Sequence, residues 1–212
     1  MKPSVHCKEF ENAVSVAKMR ESDAYTIANL VPSKELMYRA AMGIYTAAEW
    51  QGKRIAIVCG SGNNAGDGYA LASILADHGI YATLYRASEK FSEDGAYYYD
   101  KAITKSVSDR RFDTSSHFDG YDIVVDCLLG TGFSGEPQGL YAQAIEKINQ
   151  SGAYVISADI NSGLDGDTGE SVLAVKSDLT VSIGFYKKGM FLGAAPDLIG
   201  DLANVDIGIV KI

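Results

Sequence analysis

The chain has 212 residues, 47% of them hydrophobic and 22% charged, which argues against wholesale disorder and fits a globular domain. Nineteen basic against 27 acidic residues leave a net charge of −8. That balance disfavours nucleic-acid polymers and anionic membranes, where many Lys and Arg must neutralise phosphates; it leaves room for one phosphate-bearing ligand held by backbone N–H groups.

The length reads as a single domain over 1–212, with residues 1–10 as a flexible tail. Cys7, Cys59 and Cys127 form no CxxC, so neither a disulfide framework nor a cysteine zinc site is expected. His6, His78 and His117 belong to no triad or HExxH motif. No apolar run reaches the roughly 18–20 residues of a membrane span, and the N-terminus lacks a secretory core. A soluble cytoplasmic protein is expected.

In chain order, residues 11–29 are weakly helical. Residues 33–50 form a better helix, with Leu36, Met37, Ala40, Ala41, Ile44, Ala47 and Ala48 on one face after Pro32-Ser33. The face reads as core packing, with a dimer face as the alternative. From Arg54 the pattern alternates. Strands are expected over Arg54–Cys59, Tyr81–Arg86, Asp122–Leu129, Ala153–Asp159, Asp178–Ile183 and Asn204–Val210. Helices are expected over about Gly68–His78, 92–105 and Leu140–Gln150. Such alternation implies an α/β fold with a mostly parallel sheet covered on both faces. Ligands sit beyond the carboxyl ends of such strands, so the segments following Cys59, Leu129 and Asp159 should converge.

The first of these segments is GSGNNAGDG, residues 60–68. Its glycines allow close backbone approach, and the following helix offers free N–H groups. Asp67 follows Gly66 where a Walker loop needs Lys, so NTP hydrolysis loses support. Gly60, Gly62 and Ala65 formally meet a dinucleotide fingerprint, but the second strand ends Tyr85-Arg86-Ala87-Ser88 without an acidic ribose partner. Arg86 is either a 2′-phosphate ligand or a solvated charge. In the second segment Asp126 lies within an apolar strand, which is costly unless it is paired, bound to a cation or satisfied by loop N–H groups. The third carries Asp159 at a strand end, with Asn161 and Ser162 after it. Asp165 and Asp167 read as a surface turn rather than a calcium loop. Lys187 and Lys188 follow the fifth strand and are either phosphate ligands or solvated.

Together GSGNNAGDG, VDCLLGTGFSGE, ADINSGLDGDTG and the KKGM/DIGI tail resemble the YjeF N-terminal domain family of NAD(P)H-hydrate epimerases, from about Met19 onward. The family usually has GNNGGDG and DIPSG; here Ala65 replaces a glycine, expected to narrow the loop, and Asn161 replaces the proline, expected to loosen the turn. The resemblance implies a Rossmann-like three-layer α/β/α sandwich, commonly dimeric. It also implies interconversion of the R and S epimers of NADHX and NADPHX in nicotinamide cofactor repair, alongside an S-specific dehydratase on a separate chain. It places Asn63, Asn64, Ala65, Gly66, Asp67, Gly130, Thr131, Gly132, Phe133, Ser134, Gly135, Glu136 and Asp159 against the substrate. Asn64, Asp126 and Ser162 would hold one potassium ion per subunit, oxygen ligands suited to a hard cation. Asp159 is the candidate general acid/base, and Lys188 a weaker candidate for charge stabilisation. The alternatives are a non-catalytic YjeF-like binding or scaffold module and, behind it, an NAD(P)-dependent oxidoreductase.

Overall fold

Seven parallel strands in the order β3-β2-β1-β4-β5-β6-β7 make one sheet in the computed structural model, which describes residues 7–212. The elements are α1 (Cys7–Asn12), α2 (Val16–Asn29), α3 (Ser33–Thr46), β1 (Ile55–Cys59), α4 (Asn63–Asp77), β2 (Ala82–Arg86), α5 (Glu93–Thr104), β3 (Ser108–Arg111), β4 (Ile123–Cys127), α6 (Gly139–Asn149), β5 (Tyr154–Ala158), β6 (Ser177–Ile183), α7 (Ala195–Leu198) and β7 (Ile199–Val205). The tail expected at 1–10 lies outside the described residues up to position 6, and its remainder belongs to α1. Among the described residues no helix is long and apolar enough to cross a membrane.

All five residues of β1 are buried because the central strand is covered on both faces. Ile55, Ile57 and Cys59 pack with Leu36, Ile44, Leu71 and Leu75 on the α3–α4 side. Ala56 and Val58 face Phe118, Ile145 and Ile148 on the α6 side. This period-two division sets the register: Cys59 lies beside Arg86 of β2 and Cys127 of β4, so three strands end level. The apolar face of α3 (Leu36, Met37, Ala40, Ala41, Ile44) is buried within the chain, as expected of a packing helix.

Two boundaries and one additional strand depart from the sequence reading. Helix α4 begins at Asn63, not near Gly68. Gly62 takes an extended conformation and caps the helix, and Gly66 N already donates to Gly62 O at 3.3 Å. The polar residues read as a loop are therefore the first helical turn. Strand β3 has the sequence SDRR, with mostly exposed side chains and no apolar alternation; as an edge strand it needs none. The last strand spans Ile199–Val205 instead of 204–210 and pairs in parallel with β6 over its length.

Candidate active site

The carboxyl ends of β1, β4 and β5 open into one cleft of about 590 Å³. Its walls include Asn63, Asn64 and Asp67 from α4, the Gly130–Phe133 loop, Asp159 and Ile183, with Met19, Arg20 and Asp23 from α2. The expected convergence is therefore present. Two glycines permit it. A Cβ on Gly60 would lie 2.0 Å from Leu128 O, so the β1 and β4 exits touch through backbone. A Cβ on Gly130 would lie 3.3 Å from Asn64 Cβ and 3.9 Å from Asp159 Oδ2.

Asp159 has φ 65°, one of two non-glycine residues with positive φ among those described. Asp tolerates that region better than most residues, but it remains sparsely populated and is held by its surroundings. Asp159 N donates to Val181 O at 2.9 Å, and Ile160 N turns back to Ala158 O at 2.8 Å. The side chain is pinned as well. Oδ1 accepts from Ile183 N at 3.3 Å and from the ammonium of Lys187. Lys187 is wholly buried and also donates to Ile183 O at 2.9 Å. Its segment is clamped by the N-terminal chain: Val14 N donates to Tyr186 O at 2.8 Å, and Lys188 N to Val14 O at 3.1 Å. The reading of both lysines as solvated or phosphate-facing thus fails for Lys187, which is committed to Asp159. Lys188 is exposed and away from the cleft.

Two more carboxyl groups face this pair. Burial, then the charges of Asp159 and Asp23, push the Asp67 carboxyl well above the usual carboxylate range, with Lys187 opposing. Asp23 is raised too, by burial and then by Asp159. Asp23 went unnoticed in the sequence because α2 carries only a weak apolar stripe, with Met19, Ser22 and Thr26 as its buried residues.

Beside them is a polar cluster around Asp126, which is fully buried. Oδ1 accepts from Ser162 Oγ at 2.5 Å and Leu128 N at 3.2 Å; Oδ2 accepts from Ser157 Oγ and Ser162 N, both at 2.9 Å. Four donors use the lone-pair sites of a carboxylate, so its burial needs no cation to explain it. Desolvation nevertheless raises its pKa against those hydrogen bonds. Asn64 Nδ2 donates to Leu129 O at 2.9 Å, and Ser162 Oγ approaches the same carbonyl at 3.2 Å. Asn64 Oδ1 is buried without a hydrogen-bond partner. An orphaned amide oxygen beside the Leu129 carbonyl and the Ser162 hydroxyl offers oxygens that fit a hard monovalent cation, with the saturated Asp126 carboxylate behind Ser162 balancing its charge.

The remaining predicted residues divide. Thr131, Gly132 and Phe133 line the cleft, whereas Ser134, Gly135 and Glu136 are exposed outside its lining. Ala65 is buried in the core and Gly66 faces Met37 and Gly95, so the methyl of Ala65 does not narrow the loop. Asn161 does not loosen its turn. Its Nδ2 reaches Val175 O (2.9 Å), Ser177 Oγ (3.0 Å) and Leu198 O (3.2 Å), and its Oδ1 accepts from Thr180 Oγ1 (2.6 Å). Arg86 lies far from a ligand role: it makes a bidentate pair with Asp109 at 2.8 and 2.9 Å and lies over the ring of Tyr99.

A family model described as YjeF-related protein N-terminus matches residues 33–189. The chain is 31% identical over 205 residues to the NAD(P)H-hydrate epimerase of Lentilactobacillus buchneri, covering 94% of this chain and 95% of that protein. It is 33% identical over 198 residues to the bifunctional NAD(P)H-hydrate repair enzyme Nnr of Coxiella burnetii, covering 91% of this chain but only 40% of that longer protein. The crystal structure of yeast ynu0 superposes with a TM-score of 0.75 at 19% identity, over 91% of this chain and 86% of that one, a likeness of fold. With the motif-bearing loops inside the matched residues and full-length relatives above 30% identity, the chain belongs to the family of YjeF-related protein N-termini.

Proposed function

We propose that this chain is an NAD(P)H-hydrate epimerase that interconverts the R and S epimers of NADHX and NADPHX. The observation that carries the reading is Asp159. It follows β5 directly in a positive-φ conformation, it lines the cleft, and its Oδ1 is occupied by Lys187 and Ile183 N. Oδ2 is directed toward Gly130 and has no protein donor among the described residues. It is the oxygen left to exchange a proton with the hydroxyl of the hydrated ring, or with the water that leaves. Lys187 fixes the direction of that oxygen. Asp67, carrying its proton above the usual range, offers a hydrogen-bond donor on the same wall.

Asn64 Oδ1, Asp126 and Ser162 are the residues that would hold potassium, whose charge would favour anionic substrate in an acidic cleft. The substrate would lie along Asn63–Asp67 and Gly130–Phe133. A cytoplasmic cofactor-repair role beside an S-specific dehydratase follows from the same reading. So does a homodimer, although a second copy would have to use a surface other than the internally buried face of α3.

The test is chiral chromatography of R-NADHX and R-NADPHX incubated with the purified chain, with potassium or with sodium. Equilibration to the S epimer, faster in potassium, is expected. No conversion by folded protein, beside a dehydratase that consumes authentic S epimer, refutes the function. Asp159→Asn should lower the rate by about 10²–10⁴. Because it leaves the buried Lys187 ammonium unpaired, the double variant Asp159→Asn/Lys187→Met serves as the folded, equally inactive control.

A further inference from the structure

We propose that Arg20 is the phosphate-binding residue of this cleft, gripping an anionic phosphate of the dinucleotide substrate; the inference rests on the epimerase reading and extends it. The cleft wall carries four carboxyl side chains, those of Asp23, Asp67, Asp94 and Asp159. Among the described residues that line it, Arg20 supplies the one basic side chain. Lys187 lies behind the wall, wholly buried and paired with Asp159. A substrate bearing phosphates meets net repulsion there unless a cation stands within reach of it, and Arg20 is the side chain in that position.

Its guanidinium is available. No carboxylate pairs with Arg20 among the described residues; the nearby Glu21 is taken by Lys18 at 3.0 Å. Its one hydrogen bond is from Nη2 to Thr131 O at 3.3 Å, and Nη2 lies 3.9 Å from where a Cβ on Gly132 would be. Five N–H donors in a planar fork leave most of the group free for phosphate oxygens. The fork is therefore poised over the Gly130–Gly132 loop.

The helix that presents Arg20 is fixed at both ends. Ser15 Oγ caps Lys18 N at 3.2 Å and Asp167 Oδ1 accepts from Val16 N at 2.8 Å, while Thr26 Oγ1 accepts from Val210 N at 3.0 Å. Met19, Asp23 and Ile27 repeat at four-residue spacing along the cleft, with Arg20 next to Met19 on the same wall. An arginine on an anchored helix loses less freedom on binding than one on a loop.

Two phosphate sources share this chemistry: the pyrophosphate present in both substrates and the 2′-phosphate of NADPHX. Calorimetric binding of ADP-ribose and of 2′-phospho-ADP-ribose, which lack the reacting ring, separates them without relying on turnover. Arg20→Ala should weaken one or both about 10- to 100-fold, as loss of a charge-assisted pair does. Arg20→Lys should recover part of the loss, and KM for R-NADHX or R-NADPHX should rise by a similar factor with much less change in kcat. Loss for both ligands assigns the pyrophosphate; loss for the 2′-phosphorylated ligand alone assigns the 2′-phosphate. Affinities within twofold of wild type for both ligands, with unchanged KM, overturn the proposal. So does a fall in kcat and thermal stability at unchanged affinity, which would make Arg20 a mere tether of α2 to Thr131. Arg20-dependent binding by a wild-type chain that leaves R-NADHX unconverted would sink the epimerase function and leave the phosphate site standing.

Discussion

Replacing Asn161 tests how the segment after Asp159 is held. Its side chain is wholly buried and ties the segment between Asp159 and Ser162 to β6, to the chain before it and to the end of α7. Asn161→Ala removes three donor contacts shared by two protons and one accepted O–H bond. The two protons and one oxygen make three bonds; at about 1–1.5 kcal/mol net for each, a loss of about 3–5 kcal/mol follows. Thr180 Oγ1 retains Ser177 Oγ at 2.8 Å, which keeps the estimate from rising further. Asn161→Asp is nearly isosteric but points an oxygen at two carbonyls and a hydroxyl. At pH 7 it should cost more than Ala. The introduced carboxyl would be raised above its unfolded value, so its protonated form is favoured by folding. Stability should therefore be best retained near pH 4 and be lost as pH rises. Urea denaturation followed by circular dichroism at pH 4.5 and 7 measures both variants. An Ala variant within about 1 kcal/mol of wild type, or an Asp variant whose loss is the same at both pH values, would show that the network does not hold the loop.

Asp67 and Arg86 supply two further tests. The folded Asp67 keeps a proton that the unfolded chain releases near pH 4. Its contribution is thus complete below that pH and declines as pH rises toward the folded value. Asp67→Asn should match wild type near pH 4 and be the more stable near pH 7, with part of the decline remaining because Asp23 and Asp126 shift the same way; parallel melting curves from pH 4 to 8 would contradict this. Arg86→Met should cost about 1–3 kcal/mol by freeing β3 from β2, yet leave the ratio of KM for NADPHX to NADHX unchanged. A selective rise for NADPHX would return Arg86 to the site.

What the sequence made legible follows from local rules. Buried β1 and glycines at the strand exits require a parallel sheet with converging loops, and Asp159 at a strand end is visible as a ligand-facing acid. What stayed hidden depends on partners distant in sequence. Lys187 follows a buried strand and looks like any surface lysine; its burial is decided by Asp159, 28 positions earlier, and by Val14 pairing beside it. Strand β3 has no apolar pattern, because its place comes from backbone pairing and from Arg86 reaching Asp109. Asn161 at the usual place of a proline suggests slack, since an amide's value depends on acceptors contributed by residues 175, 177 and 198.

The acidic excess of the chain takes on a different meaning inside the cleft. Four ionised carboxylates beside a buried lysine and one arginine would leave the cleft net negative toward a pyrophosphate. The upward shifts of Asp67 and Asp23 lessen that repulsion, because a carboxyl that keeps its proton presents a donor where a carboxylate would present a charge. An anionic protein can therefore hold an anionic substrate without a basic surface, provided that its acids lie deep and close together. Asp159, the carboxyl paired with Lys187, is set apart from its neighbours by a fixed cation, which suits the acid and base role proposed for it.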